Sequence, residues 1–162
     1  MKKLFQWACD REKDHRLSIL QQVGLFKGLR RNLLMKLLVD LVEKEYQQGD
    51  VIFSEGDPGK ALYIILDGSV EIVKRCGSED KVLVTLSAGS FFGELALIQE
   101  SSRAVTARAE TAAEVVMLAR RDFLALLDLD PRVAAKITLA IARLLAMRVK
   151  AYSGRLREIL LS

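Results

Sequence analysis

A chain of 162 residues, 51% of them apolar, is long enough for one globular domain with a real core. Only two prolines are present and low-complexity stretches are absent, which argues against extended disorder, and no apolar run approaches the roughly 20 residues of a membrane-spanning helix. The net charge of +4 is uneven: from Arg120 onward nine Lys/Arg stand against four Asp/Glu, about +5, leaving about −1 for the rest.

In chain order, Met1-Lys2-Lys3 precedes a few apolar residues, but Gln6 and the charged run Asp10–Asp14 cut that stretch too short for an export signal. Cys9 and Cys76 are far apart in sequence; a disulfide between them is open, and free thiols in a cytoplasmic protein are the simpler reading. Over residues 16–44, Leu17, Leu20, Leu33, Leu34, Leu37, Leu38 and Leu41 recur at helical spacing. Gly24 and Gly28 divide that region into two short helices. Residues 45–119 read as short strands rich in Val, Ile, Leu and Phe, punctuated by Gly49-Asp50, Asp57-Pro58-Gly59, Asp67-Gly68 and Ala88-Gly89. The clearest hairpin is Ala61–Leu66 returning through Asp67-Gly68 to Ser69–Lys74, since Asp-Gly suits a turn of positive φ. A short helix is expected over 121–128. A long one follows Asp130-Pro131, an N-cap and first-turn pair, and carries Val133, Ile137, Ile141, Leu144 and Leu145 on a broad apolar face. The fold class expected is α+β: an antiparallel β-barrel of jelly-roll type, a double-stranded β-helix, flanked by N-terminal helices and a long C-terminal helix. All 162 residues are read as one domain.

The chemistry concentrates in Leu86–Ala107. Gly93 permits a tight turn just before a short helical segment, whose first N–H groups would be unpaired and suited to a phosphate. Glu94 stands at that start and Arg103 follows nine residues later. A carboxylate accepts hydrogen bonds from sugar hydroxyls, and a guanidinium forks onto phosphate oxygens. Taken alone, Glu94 is better explained as a solvated acid at a helix start.

Gly89-Ser90-Phe91-Phe92-Gly93-Glu94-Leu95-Ala96-Leu97-Ile98, followed by Arg103-Ala104-Val105-Thr106, resembles the phosphate-binding cassette of the cyclic-nucleotide-binding domain family. The resemblance extends upstream through Phe26, Gly49-Asp50, Glu55-Gly56-Asp57 and Gly68-Ser69-Val70, and downstream to Phe123 and the helix after Pro131. It implies that Glu94 binds the ribose 2′-hydroxyl and that Arg103 pairs with the cyclic phosphate. It further implies that backbone groups of Gly93, Glu94, Leu95 and Ala96, with Ala104, complete the cradle, and that Val82-Leu83-Val84 lies against the base. Ser102 stands where many members have proline. Ala104 stands where cGMP-preferring members often place threonine, so cAMP is the ligand expected and cGMP the weaker one. Arg143, Arg148 and Tyr152 are the candidates for a residue closing over the base.

The resulting expectation is a non-catalytic sensor that needs no cofactor beyond its cyclic nucleotide. The long helix would serve as output element and as a seam for pairing with a second copy. The related catabolite-activator-type regulators carry a helix-turn-helix after that helix. With Ser162 as the last residue, a stand-alone sensor or a piece of a longer channel, kinase or regulator is expected. The alternative is a degenerate barrel that binds no nucleotide and serves as an interaction or dimerisation module. Nucleic-acid binding by the basic C-terminal helix is disfavoured, because no reading helix, basic-aromatic stripe or zinc spacing appears. A metal site is not expected either, since the single histidine, His15, precedes the strands.

Overall fold

The computed structural model describes residues 15–34 and 41–161, the last eleven by backbone alone. Leu37, Leu38, Cys9, the N-terminal stretch and the Tyr152 side chain therefore lie outside the described residues. Residues 15–22 form α1, a 3-10 turn covers Gly24–Phe26, and residues 31–34 belong to α2. Eight strands follow: β1 (Val42–Tyr46), β2 (Val51–Phe53), β3 (Ala61–Asp67), β4 (Ser69–Cys76), β5 (Glu79–Ser87), β6 (Phe91–Phe92), β7 (Thr106–Ala109) and β8 (Ala113–Ala119). The single-turn helix α3 (Leu95–Ile98) sits between β6 and β7, and α4 (Arg120–Leu129) and α5 (Pro131–Leu161) end the chain. Among the described residues no helix is long and apolar enough to cross a membrane.

The strands make two antiparallel four-stranded sheets, ordered β1-β8-β3-β6 and β2-β7-β4-β5. Among the described residues no strand of one sheet is laddered to a strand of the other. The expected closed barrel is therefore corrected to a jelly-roll-like sandwich, because closure requires hydrogen bonds across every edge.

Strand β3 explains both the layering and a second correction. Its first six residues are all buried. Leu62, Ile64 and Leu66 join a core with Leu20 and Phe26 of the N-terminal helical region, Phe123 of α4, and Ile137 and Ile141 of α5. Ala61, Tyr63 and Ile65 point the other way, into the core between the sheets, with Phe53, Val70, Phe92 and Val115. The two-residue period of a strand thus serves two apolar layers at once. Both hydrogen-bonding edges of β3 are occupied, one by β6 and one by β8, so none is left for β4. Asp67-Gly68 consequently does not close a hairpin: it carries the chain from one sheet to the other. Gly68 has φ +75°, and a Cβ there would lie 2.1 Å from the Ala112 oxygen. The hairpin at this point in the chain is β4–β5, turning at Gly77, one strand later than the sequence suggests.

Helix α5 starts as its sequence dictates. Asp130 accepts the Val133 N–H through Oδ1 at 3.3 Å, and Pro131 opens the first turn. Val133, Ala134, Ile137 and Ile141 are fully buried at three- and four-residue spacing, which fixes α5 against the helical side of the first sheet.

Candidate functional site

A cavity of about 390 Å³ lies between the α3 segment, the inner face of the second sheet and α5. That is within the roughly 300–1,000 Å³ of small-molecule pockets. One end is polar, walled by Gly93, Glu94, Ser101, Ser102, Arg103 and Ala104, and the other is apolar, walled by Ile72, Leu83, Val84 and Leu86.

The polar end is built from backbone outward. Gly93, at φ +75°, turns the chain from β6 into α3. A Cβ on Gly93 would come within 2.7 Å of Arg103 Nη1 and 3.2 Å of the Ala61 oxygen, so this position needs glycine for conformation and for space. Glu94 precedes α3 and is only 3% exposed. A carboxylate removed from water to that degree needs a partner, and it has one in the Arg148 guanidinium of α5, which donates to Oε1.

Arg103 lies in the loop before β7 rather than in the strand, and it too is buried, at 8% exposure. Its N–H donates to the Asp57 oxygen at 2.8 Å and its carbonyl accepts from Gly56 N–H at 2.9 Å. The side chain donates from Nη2 to the Ala61 oxygen at 2.7 Å and from Nη1 to the Gly93 oxygen at 3.2 Å. Its guanidinium lies 4.1 Å from the Phe53 ring centroid. Burial lowers the Arg103 pKa, while Tyr63, Glu94 and Asp57 oppose that shift. Arg103 Nε is buried and meets no acceptor, an unusual condition for a charged donor.

The apolar end owes its shape to a β-bulge. Ile72 pairs with Val84 but Val73 pairs with Val82, so Leu83 is the extra residue. Such an insertion interrupts the alternation of faces, and Leu83 and Val84 both wall the cavity although they are consecutive. Both are about half exposed, an apolar surface turned to an open cleft.

The family model described as the cyclic nucleotide-binding domain matches residues 43–130, more than half of the chain. The chain belongs to the cyclic nucleotide-binding domain family. Among curated relatives, this cyclic nucleotide-binding domain is 35% identical over 120 residues to the cyclic AMP receptor protein of Thermus thermophilus, covering 74% of this chain and 56% of that protein. It is 38% identical over 94 residues to the cAMP-dependent protein kinase regulatory subunit of Schizosaccharomyces pombe, covering 58% of this chain and 22% of that protein. The solved catabolite activator protein of Thermus thermophilus superposes with a TM-score of 0.76 at 32% identity, over 84% of this chain and 62% of that one. The chain thus spans less than two thirds of each of these proteins.

Of the residues singled out from the sequence, the domain brings Gly93, Glu94, Leu95, Ala96, Arg103, Ala104 and Val84 to one cavity. Val82 is not among its walls, because the bulge at Leu83 resets the alternation before Val82 is reached. Of the residues considered for closing over the base, Arg148 reaches the cavity and Arg143 does not. Ile72, Leu86 and Phe53 were not singled out. Leu86 is flanked by the exposed Thr85 and Ser87 and Ile72 is followed by the buried Val73, and nothing in their spacing separates a cavity wall from a core face.

Proposed function

We propose that this chain is a non-catalytic sensor module that binds a cyclic nucleotide, cAMP in preference to cGMP, and relays occupancy through its terminal helices. The observation that carries the reading is the orphaned Nε of Arg103, a buried cationic donor on a cavity whose opposite end is apolar. A cyclic phosphate placed beside Arg103 would satisfy that donor. Glu94 would accept the ribose 2′-hydroxyl, and Ile72, Leu83, Val84 and Leu86 would cover the base. Ala104 offers no hydroxyl to a guanine amino group, which favours adenine by omission. That relatives are named as a cyclic AMP receptor protein and as a cAMP-dependent kinase regulatory subunit supports the same choice.

Helix α5 is the output element in this reading. Beside its buried face it carries Ala135, Leu139, Ala142, Ala146 and Val149, all exposed, at 4-3-4-3 spacing. That is the repeat of a two-helix coiled coil and supports pairing of two copies along α5. Arg148 lies next to this seam and holds Glu94, so the seam and the cavity share one stretch of helix.

Titration calorimetry of ligand-freed protein with cAMP and cGMP tests the proposal. Micromolar or tighter cAMP binding with a weaker cGMP curve is expected. Arg103→Ala should weaken cAMP binding by about 2–5 kcal/mol, the usual cost of removing one partner from a buried charged contact. Absence of heat with either nucleotide would favour the interaction-module reading. One observation already suits that second reading: Glu94 is satisfied internally by Arg148.

A further inference from the structure

We propose that Lys74 is a positioning residue for the phosphate end of the cavity, acting by fixing the peptide on the far side of Ala104. This inference rests on the cyclic-nucleotide reading, in which the Ala104 backbone belongs to the cradle.

The ladder between β4 and β7 runs Val70↔Ala109, Glu71↔Arg108, Ile72↔Ala107 and Val73↔Thr106, and there it stops. The next pair in register would be Lys74 and Val105. The connection is instead continued by a side chain: Lys74 Nζ donates to the Ala104 oxygen at 2.9 Å and to Glu55 Oε1 at 2.5 Å. On its other side Lys74 is paired in register with Lys81 of β5, so its charge gains by reaching across to Glu55. The Glu55 carboxyl is held below the ordinary glutamate range, chiefly by its hydrogen bond from Lys74.

The consequence falls on Ala104. This residue is exposed, so packing does not hold it. Its two flanking peptides are nevertheless both pinned. The Arg103 carbonyl accepts from Gly56 N–H at 2.9 Å, and the Ala104 carbonyl accepts from Lys74. In a trans peptide the N–H points opposite to the carbonyl, so fixing the Arg103 oxygen on Gly56 also aims the Ala104 N–H away from Gly56. With both carbonyls anchored, the φ and ψ of Ala104 are restrained. The neighbouring Glu55 N–H, bonded to Thr106 Oγ1 at 2.9 Å, ties the same two segments once more. Lys74 thus acts through the backbone of Ala104, and no contact of its own with the nucleotide is required.

The test combines calorimetry with amide NMR on the full chain, using cAMP as the probe. Lys74→Met should weaken cAMP binding by roughly tenfold, about one charge-assisted hydrogen bond, while leaving the melting temperature nearly unchanged. Lys74→Arg should restore most of the loss. In Lys74→Met the Ala104 and Val105 amide resonances should move, and the shift that cAMP induces at Ala104 should shrink. If Lys74→Met does not fold, Glu55→Gln, which removes the other anchor of the same ammonium, should show the same pattern in weaker form. Wild-type affinity in Lys74→Met, or unmoved Ala104 and Val105 amides, would overturn the assignment alone. A wild-type chain that binds no cAMP would overturn the cyclic-nucleotide reading, and the Lys74 assignment with it.

Discussion

Glu94 and Arg148 show how far a single residue's role depends on what reaches it. Glu94 was singled out by its place before a short helix, a position at which a plain solvated acid is the commoner occupant. Burial to 3% removes that bland explanation, and the guanidinium that makes the burial tolerable comes from a position 54 residues away. Arg148 stood in the sequence as one of three candidates on the last helix, with nothing to rank it above Arg143. Arg148→Ala leaves the Glu94 carboxylate buried and unpaired. Because Arg148 itself is half exposed, a loss of about 1–3 kcal/mol in stability is expected rather than the full cost of breaking a deeply buried pair. Urea denaturation of the ligand-free chain would read that loss, and an unchanged midpoint would mean that the contact contributes nothing to the fold. Arg103 is the converse case. Its identity was legible from its spacing to Glu94, but its turn toward Ala61, Gly93 and the Phe53 ring was not.

At the scale of elements, two short segments and one long helix decide where the site lies. Helix α3 has a single turn, too little to stand alone. It is held from its far end by Arg120 of α4, whose Nη1 donates to the Ala96 and Leu97 oxygens at 3.2 Å. The carbonyls left over at a helix terminus are thereby occupied, and the cassette is tied to the helix that leads into α5. The β5 bulge turns Leu83 and Val84 onto one side, which a strict two-residue alternation forbids. Helix α5 has two apolar faces. One is covered by Leu20, Phe26 and Phe123 of the core, and the other carries Leu139, half exposed, the second of the five exposed repeat positions. Leu139→Glu places a charge within the proposed seam without touching the buried face. Sedimentation equilibrium should show its self-association weakened by at least about tenfold relative to wild type, as one lost apolar contact plus like-charge repulsion would produce. A wild-type chain that is monomeric at every concentration would remove the seam altogether.

For the whole molecule, the decisive event is the crossing between sheets at Asp67-Gly68. Gly68→Ala should destabilise the fold by more than about 2 kcal/mol, since the left-handed conformation alone costs an alanine about 1–2 kcal/mol and the added methyl collides with the Ala112 backbone. A midpoint within experimental error of wild type would mean that this junction is not the rigid corner described. The sequence by itself determined whatever is local. The turns of positive φ are set by their glycines, the start of α5 by Asp130 and Pro131, the double burial of β3 by its unbroken apolar run, and the family by the order of Gly93, Glu94 and Arg103. Only the tertiary structure decided which strands pair. An Asp-Gly turn is equally compatible with a hairpin and with a corner, and the choice depends on whether the neighbouring edges of β3 are free, which β6 and β8 settle from far along the chain. The Arg148–Glu94 contact and the Lys74 hold on Ala104 are of the same kind. Each is a contact between residues distant in sequence, and its energy is set by the geometry of a neighbour that local preferences do not specify.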